Sequence, residues 1–317
     1  MTVDESYACC RGIAHRSGAN FSVGFRFLPR RKRRAVYAAY AFCRWADDIA
    51  DEDFSALAPQ PRGEGGGRPG EGPPSPAASR HPLPQAGEGP AGILARLDAW
   101  QEELERCYAG NPTHPITIAL ADALHYFAIP RSAFVALIDG CRQDTVKTRY
   151  ETFDELLRYC DLVASSISDI SLSIFGYRSD AALGLGRKLS TALQLTNVTR
   201  DVGDDLGRDR IYIPQEELRR FGVTEHELFD RAENERIRHL IEFQIARAES
   251  YFREAEPLLR ELAFDARFPT LLMGGIYATV LAKLRKDPLV VIRKRLSLSR
   301  MQKLLVVGAR MLRPHFV

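Results

Sequence analysis

Two aspartate clusters stand out as groups able to do chemistry. One reads Asp47-Asp48-Ile49-Ala50-Asp51 and the other Asp201-Val202-Gly203-Asp204-Asp205. In each, the outer acids are spaced so that a helix puts them on one face. Two such pairs facing each other across a cavity can hold a small group of Mg²⁺ ions. Mg²⁺ takes oxygen ligands and usually shares them with substrate phosphates. Arg44 lies one turn before the first cluster, and Arg200, Arg208 and Arg210 surround the second. Carboxylates, metal and arginines together suit the binding and departure of a diphosphate.

An acidic pair at helical spacing is ordinarily a solvated face. The flanks argue otherwise here. Tyr40-Ala41-Phe42-Cys43 precedes the first cluster, and Leu193-Gln194-Leu195-Thr196-Asn197-Val198 precedes the second. The acids therefore end buried helices, where an unpaired charge is costly and a metal compensates it. Gln194, Asn197, Asp201 and Asp205 form a polar stripe over three turns of an otherwise apolar helix, and such a stripe needs partners. Arg210 and Tyr212 fall just past that helix, where they can close over a diphosphate, and Pro214 ends the stretch.

The elements that must position these groups are helices. Helical periodicity marks segments 31–51, 93–108, 114–127, 131–142, 153–175, 179–206, 225–263, 268–286 and 297–312. Thr152-Phe153-Asp154-Glu155 and Thr224-Glu225-His226-Glu227 have the capping-box form. Alternating runs with hairpin signals are absent, so an all-α fold is expected. Residues 55–92 are rich in Pro and Gly and hold little apolar mass, which predicts a disordered insert within a single 1–317 domain.

The paired motifs resemble those of the squalene/phytoene synthase family, the head-to-head trans-isoprenyl diphosphate synthases. The resemblance rests on Tyr40-x3-Arg44-x2-Asp47-Asp48-x2-Asp51, on Gln194-x2-Asn197-x2-Arg200-Asp201-x2-Asp204-Asp205 with Arg210-x-Tyr212-x-Pro214, and on Tyr159-Cys160-Asp161-Leu162-Val163-Ala164-Ser165. It implies an isoprenoid-synthase-type helical bundle around a central apolar cavity. It also implies a Mg-dependent prenyltransferase that joins two allylic prenyl diphosphates through a cyclopropylcarbinyl diphosphate. Two geranylgeranyl diphosphates giving phytoene, a carotenoid precursor, is the first expectation. Two farnesyl diphosphates giving presqualene diphosphate or squalene is the alternative, and NADPH enters only if squalene is the end product. A non-catalytic lipid-binding relative is an alternative of another class. A head-to-tail elongase or a terpene cyclase would need a different second motif.

Carried over by the resemblance, Asp47, Asp51, Asp201 and Asp205 are the metal ligands, for Mg²⁺ or Mn²⁺. Tyr159 assists the cyclopropyl steps. Tyr40, Arg44, Arg200, Arg210 and Tyr212 surround diphosphate, Gln194 and Asn197 line the cavity, and Tyr277 and Arg293 match later diphosphate contacts. Phe21, Phe25, Phe27 and Tyr40 offer aromatic faces to cations. The chain departs from the family pattern at Gly18-Ala19-Asn20-Phe21, where Ser-x-Ser-Phe is common, and at Ser168 and Ser190, where glycine is common. The two serines narrow the expected tail channel.

Composition bounds the rest. A net charge of +3 argues against nucleic acid as a partner. Six cysteines without C-x-x-C spacing read as reduced thiols of a cytoplasmic protein. No signal segment and no membrane-spanning run is expected. From Lys283 onward ten Lys and Arg face one acid, Asp287, and Arg30-Arg31-Lys32-Arg33-Arg34 forms a second basic run. Such runs suit a solvated surface, a diphosphate or peripheral contact with an anionic membrane. Neutralising Arg293, Lys294 and Arg295 tests the membrane contact.

Overall fold

The computed structural model describes residues 1–16, 24–51, 89–312 and 315–316. Its helices, in chain order, are α1 (Val3–Arg16), α2 (Arg30–Asp51), α3 (Gly89–Tyr108), α4 (Pro115–Leu124), α5 (Arg131–Asp144), α6 (Phe153–Cys160), α7 (Ser166–Phe175), α8 (Ala181–Arg200), α9 (Val202–Leu206), α10 (Gln215–Phe221), α11 (Glu225–Phe229), α12 (Glu235–Ala255), α13 (Leu258–Glu261), α14 (Phe264–Lys286), α15 (Val290–Arg293) and α16 (Arg300–Leu312). No strand occurs among the described residues, and the all-α expectation holds. The Pro/Gly-rich insert falls mostly outside the described residues, and α3 begins at Gly89, earlier than expected.

Helices α8 and α12 make the largest contact, α7 and α14 pack against α8, and α2 and α5 pack on α7. Buried side chains such as Phe42, Phe134, Leu156 and Phe252 fill the core. Thr152 and Thr224 cap α6 and α11 as their sequences predict.

Three local departures position the site. First, the expected helix 153–175 is interrupted by a π-helical turn over Asp161–Ser165. The extra residue re-phases the helix, and such insertions recur at functional sites. Gly140 of α5 permits this bulge to pack closely, because a Cβ there would lie 2.4 Å from Val163 Cγ1. Second, the helix expected over 179–206 breaks at Asp201, whose φ and ψ are −97° and 8°. The Asp205 N–H still donates to the Asp201 carbonyl at 2.9 Å, so the two acids stay one turn apart. Third, α1 and α10 form where no helix was expected. In the basic run, Lys32 pairs with Asp265 and Arg34 with Asp4, so part of that charge is structural.

Candidate active site

Helices α2, α5, α7, α8 and α14 line a cavity of about 330 Å³. Its wall is mainly apolar, with Phe25, Leu137, Ile167, Leu189, Leu193 and Met273 among the lining residues. Polar side chains collect toward the C-terminal ends of α2, α5 and α8. Tyr40, Arg44 and Asp47 come from α2, Asp144 from α5, and Gln194 and Asn197 from α8, with Tyr159 beside them. Three helix C-termini thus converge, and each carries partial negative charge. Adding carboxylates there makes a field that calls for cations.

On α2, Asp47 belongs to the cavity wall, with the Cys141 thiol 3.6 Å away. Asp48 points elsewhere and is fully buried against Arg44 at 2.5 Å. Its role is therefore to hold Arg44 at the cavity. Asp51, one turn on, pairs with Arg208 at 2.9 Å and Arg210 at 3.2 Å. These arginines come from beyond the second cluster and tie the two clusters together.

Asp201 is gripped by two guanidinium groups. Arg200 donates at 2.7 and 2.5 Å, and Arg295 at 2.9 and 3.3 Å. Gly203 makes the second grip possible. A Cβ there would stand 2.6 Å from the Val291 carbonyl oxygen, so only glycine admits α15 and the chain leading to Arg295. Arg231 fastens the join by donating to the Gly203 carbonyl at 3.1 Å and to the Ile292 carbonyl at 2.5 Å. Arg295 went unrecognised in the sequence because only tertiary packing brings it there. Arg293, the expected contact, instead pairs with Asp287 and Glu233.

Asp144 also escaped sequence reading. It accepts hydrogen bonds from Tyr159 Oη at 2.7 Å and Tyr212 Oη at 3.0 Å. The two tyrosines stack at 5.4 Å, and both rings pack on the buried Tyr150. A signal was present. Leu137, Cys141 and Asp144 share one helical face, so an apolar stripe ends in an acid, as in the two recognised clusters. The segment bearing Arg210 and Tyr212 is held by the Ile211 N–H donating to the Thr148 carbonyl at 2.9 Å. Arg149 completes that join through Asp209 at 2.7 Å.

The remaining expected residues fall as follows. Asn197 Nδ2 lies 3.4 Å from Gln194 Oε1. Tyr277 is buried against Arg200 and Asn197. Phe25 lines the cavity with Tyr40, whereas Phe27 is exposed and packs on Phe268. Phe21 and the departure at Gly18–Asn20 lie outside the described residues. Ser168 and Ser190 both line the cavity. Opposite Ser168 stands Gly186, where a Cβ would meet the Ser168 hydroxyl at 2.5 Å. The facing helix thus yields the room that the serine takes.

Desolvation by the surrounding protein drives the electrostatics. It raises Asp47 to about 7, with Asp51 and Asp48 adding to the rise against Arg44. Burial, with Asp201 next in effect, raises Asp205 to about 7. Asp144 rises to about 6 through burial, held back by Tyr159, Arg210 and Tyr212. All three start from 3.8. The folded protein therefore binds more protons than the unfolded chain between that value and about 7, and stability falls as pH rises through the window. Glu103 acts oppositely but lower. Burial would raise it, yet hydrogen bonds from Thr113, Thr117 and His114 win and bring it from 4.5 to about 2. In chelator, the melting temperature is expected to decline from about 4.5 to about 7. Asp205→Asn should flatten that decline; an unchanged slope would refute the assignment.

Among the described residues, no three acidic, cysteine or histidine side chains come together as a ready-made metal site. The donor set fits a metal nonetheless. Asp47 opens onto the cavity near like charges, Asp205 is half-buried beside Asp201, and Asp51 and Asp201 are each held in part by an exposed arginine, Arg208 and Arg295. Mg²⁺ commonly takes only one or two carboxylates, the rest coming from substrate phosphate and water.

The family model described as "Squalene/phytoene synthase" matches residues 14–302. The chain belongs to that family. Within it, the chain is 33% identical to a 15-cis-phytoene synthase of Synechococcus elongatus, covering 98% of this chain and 94% of the relative. A phytoene synthase of Mycobacterium bovis is 32% identical, covering 97% and 91%. Among solved structures, a ligand-bound dehydrosqualene synthase superposes with a TM-score of 0.80 at 26% identity, covering 98% and 96%. Squalene synthase HpnC from Alicyclobacillus acidocaldarius gives 0.73 at 29%, covering 90% and 95%. As a squalene/phytoene synthase family member, the protein is a prenyltransferase acting on prenyl diphosphates, and family chemistry is generally metal-dependent.

Proposed function

We propose that the protein condenses two geranylgeranyl diphosphates head to head, through a cyclopropylcarbinyl diphosphate, to phytoene. The observation that carries this reading is the joining of two acid–arginine clusters, through Asp51 with Arg208 and Arg210, beside the polar end of an apolar cavity that Arg44 and Asp47 line. The full-length similarity to phytoene synthases supports the product.

Asp47, Asp51, Asp201 and Asp205 would hold Mg²⁺. Bound there, the metal supplies charge neutralisation for the departing diphosphate. Arg44, Arg200 and Arg210, with Tyr40 and Tyr212 nearby, bind and orient the diphosphates. Loss of diphosphate leaves an allylic cation, which the second substrate's double bond attacks. A proton is then lost to close the cyclopropane. The second diphosphate departs, the skeleton rearranges, and another proton is lost to give the central triene, so no reductant is consumed. The apolar wall keeps water from the cations. Tyr159, held by Asp144, stands where it can steady charge during the cyclopropyl steps.

Ser168 and Ser190 set the room for the tails. Ser168→Gly with Ser190→Gly is expected to raise the geranylgeranyl over farnesyl preference in kcat/KM about tenfold, the usual scale for small changes in an apolar pocket. An unchanged ratio would remove both serines from chain-length control.

Product analysis tests the whole reading. Purified protein with Mg²⁺ receives each diphosphate separately, with and without NADPH. A C40 hydrocarbon from the longer substrate alone is the expected result. Presqualene diphosphate or squalene from the shorter one would overturn the product assignment, and no turnover of either would overturn the reading itself.

A further inference from the structure

Helix α16 is built inside out. Among its described side chains, the outward positions are Met301, Leu304, Leu305, Gly308, Ala309, Met311 and Leu312, and none is polar. The five large side chains among them are between 62% and 85% exposed. Its inward positions carry the buried Val306 and the half-buried Gln302, Lys303, Val307 and Arg310. A surface helix ordinarily has the reverse arrangement.

This orientation is anchored. A Cβ on Gly275 of α14 would lie 2.5 Å from Arg310 Nε, and one on Gly274 would lie 2.4 Å from the Phe316 ring. Phe316 is fully buried, and its N–H donates to Glu256 at 3.1 Å. Arg310 and Phe316 are thus seated in a glycine-made groove that fixes which face of α16 looks outward. A cluster of exposed apolar side chains on a fixed element marks an interaction surface.

We propose that α16 docks the protein on an anionic bilayer, laying its apolar face into the interface. Thirteen residues of helix reach about 20 Å, short of the hydrocarbon thickness, so the helix lies along the membrane. Charge selects the partner. The helix contains no acid, and the stretch from Lys283 onward holds ten Lys and Arg against Asp287. Among the described residues no carboxylate pairs with Lys283, Lys286 or Lys294, and Lys286 and Lys294 are exposed, so their charge is available to phosphate headgroups. A second copy docked on this face would bring the same basic flank against its twin, with no acid on the helix to offset it. The basic triplet singled out in the sequence is a poorer candidate, because Arg293 and Arg295 are already spent on Asp287 and Asp201.

Vesicle flotation without substrate tests this independently of the catalytic reading. The full chain is floated with phosphatidylcholine vesicles and with phosphatidylcholine–phosphatidylglycerol vesicles. The wild type should partition into the anionic vesicles and weakly into the neutral ones. Leu304→Glu with Leu305→Glu should lower anionic partition at least about tenfold. Lys286→Gln and Lys294→Gln should each lower it about fivefold. These side chains are exposed or peripheral, and thermal melting by circular dichroism should show all variants folded. Flotation of the double-glutamate variant like wild type would overturn the proposal. So would wild type that stays unbound or floats equally with both vesicles. A wild-type dimer that the glutamates dissociate while flotation persists would assign the face to a second copy instead.

Discussion

Asp47→Asn should lower kcat roughly 10³-fold while leaving the metal-free protein as stable as wild type or more so. The two effects have opposite signs for one reason. Asp47 opens onto the cavity, and desolvation by the surrounding protein raises it to about 7, with Asp51 and Asp48 as like charges nearby. Its charge is a burden to the empty protein. Asparagine keeps the shape and removes the charge, so the fold should tolerate it. Cation binding needs that charge, so turnover should not. The measurement pairs single-turnover rates at saturating Mg²⁺ with melting temperatures in chelator. Activity within tenfold of wild type would remove Asp47 from the metal set. A large fall in stability would show that the carboxylate is paired in the folded protein. Asp201 would make a poorer test, because its loss strands Arg200, which is almost wholly buried.

Asp144→Asn is expected to cost about 10²-fold in kcat. The carboxylate accepts from two phenols at once, Tyr159 at 2.7 Å and Tyr212 at 3.0 Å. An amide offers one acceptor oxygen and turns a donor toward the other phenol, so that phenol must accept instead of donate and shift to turn its own proton elsewhere. Tyr159 faces the cavity and Tyr212 neighbours Arg210, which bonds the Asp144 carbonyl at 3.1 Å and Asp51 at 3.2 Å. Displacement would therefore reach both the cation and the diphosphate. The discriminating measurement is a double-mutant cycle with Tyr159→Phe. If Asp144 works by holding Tyr159, the two losses should be strongly non-additive. Simple additivity of the logarithms would assign Asp144 an independent role and refute the positioning argument.

Much of this was legible without coordinates, and the reason is periodicity. The acids Asp47 and Asp51 and the polar stripe Gln194–Asn197–Asp201 sit at helical spacing within apolar segments, so their shared face follows from local geometry. The all-α fold follows from the same signal, and the capping threonines Thr152 and Thr224 mark true helix starts. The resemblance of these motifs led to a family that the full-length match bears out.

What periodicity cannot carry is contact between segments distant in the chain. Asp144 reads as one more acid at a helix end until folding brings Tyr159 and Tyr212 to it. Arg295 lies 94 residues from Asp201, and its approach depends on a missing Cβ at Gly203. The π turn at Asp161–Ser165 and the break at Asp201 are responses to packing rather than to propensity. The outward apolar face of α16 belongs to the same class. Its sequence reads as an ordinary amphipathic helix, whose apolar side should face the core. Only the seating of Arg310 and Phe316 against Gly275 and Gly274 decides that it faces outward instead. Local spacing determined which residues share a face; close packing between remote backbones decided what each face meets.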